Sequence, residues 1–496
     1  MKSLRPSIIF VQLILILSVA QLISGQDKQP ASNANEQIVA EIKAHNELMS
    51  NVEYLSDMLG PRLTGSENLH KSNLWTAEKF RSYHLENVHE EPWTLGRSWT
   101  RGTAWARIVA PAEHRIAIAS EGWTESTPGT IRGPVMYVHA DKPEDLQSYQ
   151  GKLRGAILIF YEPRQLEPPH GSPLLESDEL NIIGMNQQVP PISYRLFRPM
   201  YNFVSREGAA AVLVASDKKD GLMNMFGIGH LAGLPDKPPK ITGENLGIAP
   251  TPAAYVSWED YNLLWRLLKR GPVEMELNIE NSHSNKSIEV YNTVAEIKGS
   301  EKPDEIVMLG GHLDSWDLGT GATDNGTGVA AVLEAARALV ASKVKPKRTI
   351  RFVLFSGEEQ FLLGSTAYVA AHQSELPKIS AVLVHDCGTG KVVSINLQED
   401  YAARQAMDKI QEEMPDLGLL EPSLRSVYAT DNFTFAEAGV PAFMTMQEQL
   451  DYNLTHHSQA DTFDHVQEEG VLQGAEVLAT WAYHTAQLPD LMPRAR

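Results

Sequence analysis

The chain has one cysteine, Cys387, in 496 residues. No internal disulfide can form, and a protein of this length must be held by a buried core instead. Cys387 itself reads as a small buried hydrophobe rather than a nucleophile. Nor is there any cluster of lysine and arginine to offset a formal net charge of −19. Such a surface repels a phosphate backbone, which argues against nucleic acid as a partner. The GxSxG turn of one large class of serine hydrolases is absent, as are an HExxH pair and a P-loop. Past the N-terminus no apolar run is long enough to span a bilayer.

The N-terminus carries Lys2 and Arg5, then an apolar run from Ile8 to Ile23 broken by Gln12, Ser18 and Gln21, then Gly25 and a polar stretch. This is the layout of a secretory signal peptide occupying residues 1–25, with small residues for cleavage at Ala20 or Gly25. An uncleaved anchor is the alternative, but the run is about 16 residues where a span needs roughly 20. Export follows, to a periplasm, an extracellular space or a lysosomal lumen, with no membrane attachment once the signal is removed.

Residues 36–90 read mainly as helix, with apolar spacing in "EQIVAEIKAHNELMSNVEYLSDML" that ends at the Gly-Pro of "GPRLTGS", and 26–126 as a whole reads as the N-terminal part of a larger domain. From 127 to 280 short β runs alternate with turns and Gly/Pro-rich loops, which predicts a β-rich insert. From 281 to 496 the pattern becomes strand, loop, helix. "EIVMLGG", "TIRFVLFS", "ISAVLVH" and "VPAFMTM" are candidate buried strands, with helices such as "GTGVAAVLEAARALVAS" between them. That alternation predicts an α/β domain with a mostly parallel central sheet covered by helices on both faces.

The polar residues worth attention follow those four strands. His312 and Asp314 come after the first, Glu358 and Glu359 after the second, Asp386 after the third and His457 shortly after the fourth. Ligands of open parallel sheets bind at that edge. Taken singly the signals are ordinary, since EE, HxxD and DNG are all common in loops. Together they deliver carboxylates and imidazoles from separate segments to one rim. Asp324, Glu358, Glu359 and Asp386 gathered there repel one another unless cations neutralise them. Two divalent ions and a bridging hydroxide balance three ligating carboxylates, and imidazole with carboxylate is a zinc-compatible donor set that Co²⁺ or Mn²⁺ also accepts. On this reading Asp324 bridges two Zn²⁺, with His312 and Asp386 completing one site and Glu359 and His457 the other. His456 is the alternative to His457. Glu358 remains as general base for a metal-bound hydroxide mechanism, and Asp314 supports the second nitrogen of His312. The many glycines of "GGHLDSWDLGTGATDNGTG" let the backbone bend so that His312 and Asp324 reach the same ions. "HQSE" at His372 to Glu375 has metal-like spacing but reads as a decorated helix face, and Asp317, Asp461 and "TDN" at Thr430 to Asn432 read as supporting groups or plain loop.

With "GGHLDSWDLGTGATDNGTG", "SGEEQ", "HDCGTG", "HHSQADT" and "LGPRLTGS", the chain resembles the co-catalytic zinc exopeptidases of the leucyl aminopeptidase and carboxypeptidase Q type, over most of its length after the signal. The resemblance implies a zinc-peptidase domain interrupted by a protease-associated insert, the same five ligands and base, and a cis peptide after Asp324. It also implies peptide substrates and a homodimeric habit. Cleavage of dipeptides or short peptides by a carboxypeptidase-like enzyme is the leading expectation. An aminopeptidase and a non-catalytic peptide-binding homologue are the alternatives. Carboxylate recognition needs a positive anchor, and no lysine or arginine can be assigned to the pocket from the sequence.

Overall fold

The computed structural model describes residues 31–166, 194–225, 227, 242–424 and 430–494. The expected signal segment lies outside them. Among the described residues, strands run in chain order as β1 (Glu86–Leu95), β2 (Trp99–Ala110), β3 (His114–Ile116), β4 (Ile118–Ser120), β5 (Ile131–Tyr137), β6 (Ile157–Ile159), β7 (Ala211–Ala215) and β8 (Ala253–Val256). They continue as β9 (Glu274–His283), β10 (Ile288–Ile297), β11 (Lys302–His312), β12 (Arg348–Phe355), β13 (Ile379–Val384), β14 (Val392–Asn396) and β15 (Ala442–Gln447).

Seven of these form one sheet in the order β1-β10-β12-β11-β13-β15-β14. The four apolar runs are its centre, β12-β11-β13-β15, and pair in parallel. The outer pairings are antiparallel, so the sheet is mixed rather than mostly parallel. The sequence concealed this because the added edges, such as "ENVHEEPWTL" and "IEVYNTVAEI", are half polar and lack continuous apolar runs. Every residue of β12, β13 and β15 is buried, as a sheet covered on both faces requires. Side chains alternate accordingly. Ile350, Phe352 and Leu354 pack in the core under the helices Thr327–Ala341 and Glu468–Gln487. Val353 and Phe355 face the opposite way, onto Tyr368, Val369 and Phe435 of the helices Leu363–Ala371 and Asn432–Glu437. The N-terminal helix Ala31–His45 lies over the first pair, and its successors stop at Leu59 before Gly60.

The other eight strands form a second sheet, β3-β2-β9-β5-β6-β7-β8-β4. All of them fall between β1 and β10, which pair with each other at the edge of the first sheet, Leu95 opposite Ile288. The ladder resumes in the second sheet with Trp99 opposite His283. The chain therefore leaves and re-enters the first sheet through neighbouring strands. The second sheet begins at Trp99, earlier than the texture change at 127; the sequence hid this because β2 is mostly half-buried or exposed and lacks a sustained apolar alternation. No helix of the described residues is long and apolar enough to cross a membrane.

Candidate metal centre

His312 is the last residue of β11, and its strand lies parallel to β12 and β13. Glu358 and Glu359 follow β12, Asp386 follows β13, and His456 and His457 follow the short helix Tyr452–Thr455 beyond β15. Parallel strands end at one edge, so these groups meet. His312 Nε2 lies 3.3 Å from Asp324 Oδ1 and 3.2 Å from Asp386 Oδ1. On the other side His457 Nε2 lies 3.4 Å from Asp324 Oδ2 and 2.9 Å from Glu359 Oε2. Each Asp324 oxygen thus faces a different histidine. His456 stacks on His457 with ring centroids 3.7 Å apart, and its Nε2 is 3.7 Å from Asp324 Oδ2.

The 12-residue step from His312 to Asp324 is fixed from several directions. Arg62 is fully buried, and its guanidinium donates to the carbonyls of Leu313 (2.7 Å), Thr320 (3.0 Å) and Gly321 (2.7 Å). Asp461 Oδ1 accepts from Thr323 N at 2.6 Å and from Thr323 Oγ1 at 2.9 Å, immediately before Asp324. The Asp324–Asn325 peptide is cis, as the resemblance implied. Asn325 donates to the His385 carbonyl and accepts from Gly328 N, which satisfies a first-turn donor of the helix Thr327–Ala341. Bending accounts for few of the glycines. Gly321 has φ +68°, but Gly328 is needed for close approach, since a Cβ there would sit 2.1 Å from Asn325 Oδ1 and 2.5 Å from the His385 carbonyl oxygen.

Asp314 differs from its expected role. The Nδ1 of His312 is 2.9 Å from the backbone carbonyl of Asp314 and 3.7 Å from its carboxylate. That carboxylate instead accepts from Thr64 Oγ1 at 2.7 Å and from the backbone N–H groups of Glu358 (3.2 Å) and Glu359 (3.4 Å). It holds the turn that carries the two glutamates. The carboxylate turned this way because the chain after β11 runs beside the Gly357 turn, where φ is +86°. Thr64, in "LGPRLTGS", has no chemical signature of its own, and its part was invisible before the fold was known.

Burial dominates the electrostatics. It raises the Glu358 and Glu359 carboxyls well above the usual range, reinforced for Glu358 by Asp386 and Glu359 and for Glu359 by Asp324, with His312 opposing in both cases. Burial also pushes Asp461 up to about 7, with Asp324 adding to it, and Asp431 up to about 7. Burial opposes charge on His312, but Asp386 and Asp324 outweigh it and raise its pKa. Burial alone would raise Asp324, yet the hydrogen bond from His312 and the charges of His456 and His457 drive it down. Asp324 Oδ2 and Glu359 Oε1 are buried without a hydrogen-bond partner. Carboxylates in this condition call for cations.

The remaining flagged residues separate cleanly. Asp317 takes a two-point ion pair from Arg101 of β2, at 3.0 and 2.6 Å. His372 bonds Glu91 and Glu375 away from the strand ends. Cys387 is buried with Met444, Met446 and Tyr452. The second sheet also reaches the centre, through Met225 N to the His457 carbonyl (2.9 Å), Met223 N to Gln459 Oε1 (2.8 Å) and Lys218 Nζ to the Asn453 carbonyl (2.6 Å). None of these contacts has a sequence signal.

A mixed α/β sheet with buried histidines and carboxylates converging on one aspartate at its carboxyl edge defines a metal-dependent hydrolase. The kind follows from comparison. Residues 292–482 match peptidase family M28. Carboxypeptidase Q from Mus musculus is 29% identical over 462 residues, 91% of this chain and 88% of that one, and the Homo sapiens protein of that name is 28% identical over 460 residues. The crystal structure of a peptidase M28 precursor from Shewanella amazonensis SB2B superposes with a TM-score of 0.75 at 28% identity, covering 94% of this chain and 99% of that one. A zinc aminopeptidase from Bacillus subtilis shares the fold, with a TM-score of 0.62 at 18% identity over 91% of this chain and 97% of its own. The chain is a metallopeptidase, similar over residues 292–482 to peptidase family M28.

Proposed function

We propose that the protein is an exported dizinc exopeptidase that hydrolyses dipeptides or short peptides in the manner suggested by its carboxypeptidase Q relatives. The observation that carries this reading is the division of the Asp324 oxygens between two donor pairs. Zinc bonded to nitrogen or oxygen at about 2.0–2.2 Å in a tetrahedron separates its donors by roughly 3.3–3.6 Å. The His312–Asp324 and His312–Asp386 distances of 3.3 and 3.2 Å and the His457–Asp324 distance of 3.4 Å fit that spacing, with His457–Glu359 tighter at 2.9 Å. His312, Asp324 and Asp386 would hold one ion, and Asp324, Glu359 and His457 the second. His457 is favoured over His456 because it meets both Asp324 and Glu359. When bound, zinc supplies Lewis acidity that polarises a peptide carbonyl and lowers the pKa of water from about 15.7 to roughly 7.

The chain's own groups do the rest. Glu358 sits beside the ligand Glu359 without being needed as a donor, and takes the proton of the attacking water before delivering it to the leaving amine nitrogen. Asp314 positions Glu358 by fixing its backbone N–H. The second sheet, inserted between β1 and β10, is the protease-associated insert expected from the resemblance, and the segment 1–25 is the export signal. An aminopeptidase is the second reading, favoured by the fold shared with the Bacillus subtilis enzyme.

The test is metal content and turnover of unblocked dipeptides for the mature protein and for Glu358→Gln. The reading expects about two zincs per chain in both, with kcat lower in the variant by about 10²–10⁴-fold. A wild type that binds no zinc and cleaves no dipeptide when zinc is added would overturn it.

A further inference from the structure

The exopeptidase reading leaves open which end of a peptide the site grips, and the second sheet bears on that choice. After β7 the chain turns through Ser216 to Met225 and docks on the segment that carries His456 and His457. Asn224 bridges to Ser458, and Met225 N bonds the His457 carbonyl. In the middle of this contact is Lys218. Its backbone N–H is fixed by Ser216 Oγ at 3.1 Å, and its ammonium donates once, to the carbonyl of Asn453 in the helix that leads into His456. Among the described residues no carboxylate lies within ion-pair distance of Nζ. An ammonium has three donors, so two remain for something else.

Among the described residues, two other cations near the centre are committed. Arg62 spends its guanidinium on the carbonyls of the 313–321 loop, and Arg101 is paired with Asp317. Lys218 is also within electrostatic reach of the metal-side groups. Burial lowers its pKa while Asp217 and Asp324 raise it, and its charge in turn depresses both His456 and His457. A half-buried ammonium without a carboxylate partner, bonded to the helix that leads into His456 and His457, is suited to receive an anion near the centre.

Resting on the exopeptidase reading, we propose that Lys218 anchors the free terminal carboxylate of a dipeptide or short peptide, so that the second sheet supplies the carboxylate specificity of the site. The bland role for Lys218 is a tether between the second sheet and the Tyr452–Thr455 helix, and the test has to separate the two.

The measurement is kcat/KM for an unblocked dipeptide and for the same dipeptide amidated at its carboxyl end, in wild type, Lys218→Gln and Lys218→Arg, with thermal stability recorded for each. Glutamine retains a donor for the Asn453 carbonyl and removes the charge. The proposal expects Lys218→Gln to lose about tenfold to a hundredfold on the free acid, the worth of a charge-assisted hydrogen bond, mainly through KM. The amide should change less than about twofold, and Lys218→Arg should recover part of the loss. Equal losses on acid and amide, or no loss on either, would overturn it in favour of the tether. A wild type that hydrolyses neither substrate with added zinc would instead bring down the exopeptidase reading beneath it.

Discussion

Replacing Arg62 with methionine gives a demanding test of how the centre is held. The side chain is fully buried, and its guanidinium stays charged at neutral pH, burial lowering its pKa only to about 10. Its three bonds of 3.0 Å or less reach the carbonyls of Leu313, Thr320 and Gly321, the two ends of the loop between His312 and Asp324. Methionine fills most of the volume but leaves three buried acceptors without a donor, each costing about 1–3 kcal/mol. Relief of the cation's own desolvation offsets part of that, by several kcal/mol. The net loss is about 3–5 kcal/mol, in line with removing one partner of a buried charged network. For a chain of this size that corresponds to a melting temperature lower by roughly 3–5 °C. Because the loop sets the separation of His312 and Asp324, zinc affinity should fall by about tenfold or more, as for other supports of metal ligands. Lysine should rescue little, since one ammonium cannot span carbonyls at both ends of the loop. Scanning fluorimetry and competitive zinc titration read both effects. A variant that melts within 2 °C of wild type and holds zinc equally well would show that the loop keeps its shape without Arg62.

Asp461→Ala removes the one oxygen that accepts both bonds from Thr323, and should lower kcat/KM by about tenfold to a hundredfold by loosening Asp324, with dipeptide turnover as the readout. Phe352→Ala empties a fully buried position in the central sheet and should cost about 3–5 kcal/mol in denaturant unfolding while leaving specific activity of the folded fraction near wild type. The hydrogen bond to Glu91 raises the pKa of His372, with burial opposing and Glu91 and Glu375 charges assisting. Its stabilisation is therefore complete below the unfolded value of about 6.5 and disappears as pH rises through the higher folded value. Melting temperature should fall over that window in wild type and be flatter in His372→Gln, and parallel curves would rule the assignment out. Chelation should abolish hydrolysis and zinc should restore it. Persistent activity in the dialysed apoprotein would contradict the metal assignment.

What the sequence disclosed and what it hid have the same cause. β12, β13, β15 and β11 from Ile306 onward are buried on both faces, so each is written as a mainly apolar run, and the groups at their ends stand out against it. His312, Glu359, Asp386 and His457 were legible for that reason. Residues whose role is to touch something distant in sequence were not. Thr64 meets Asp314 across 250 positions, and Lys218 meets Asn453 across 235; neither carries a pattern of its own. Asp314 was singled out by its place beside His312, but its carboxylate serves the Gly357 turn instead, because two strand ends that are neighbours in the sheet are 44 residues apart in the chain. The sequence favoured His457 but left His456 as the alternative. Adjacent residues differ only in direction, and direction is set here by His457 adopting φ +57°, which turns its Nε2 onto Glu359 and Asp324 together.

That last detail ties the second sheet to the chemistry. The His457 carbonyl is held by Met225 and the neighbouring Gln459 side chain by Met223, so the backbone that aims His457 is braced from the inserted sheet as well as from its own. Trp316, in the loop beyond His312, is wedged against Gly122 and Gly227 of the same insert and meets the His457 ring edge-on at 6.1 Å. A side chain at Gly227 would place its Cβ 2.3 Å from the Trp316 ring. Gly227→Ala should therefore push Trp316 toward His457 and disturb the Glu359 and His457 side of the centre, while the His312 and Asp386 side, carried on central strands, stays in place. Stoichiometry measured across a zinc titration distinguishes the cases. One weakened ion out of two is the expected result, whereas equal weakening of both, or of neither, would mean that the inserted sheet does not help to shape the second ion's site.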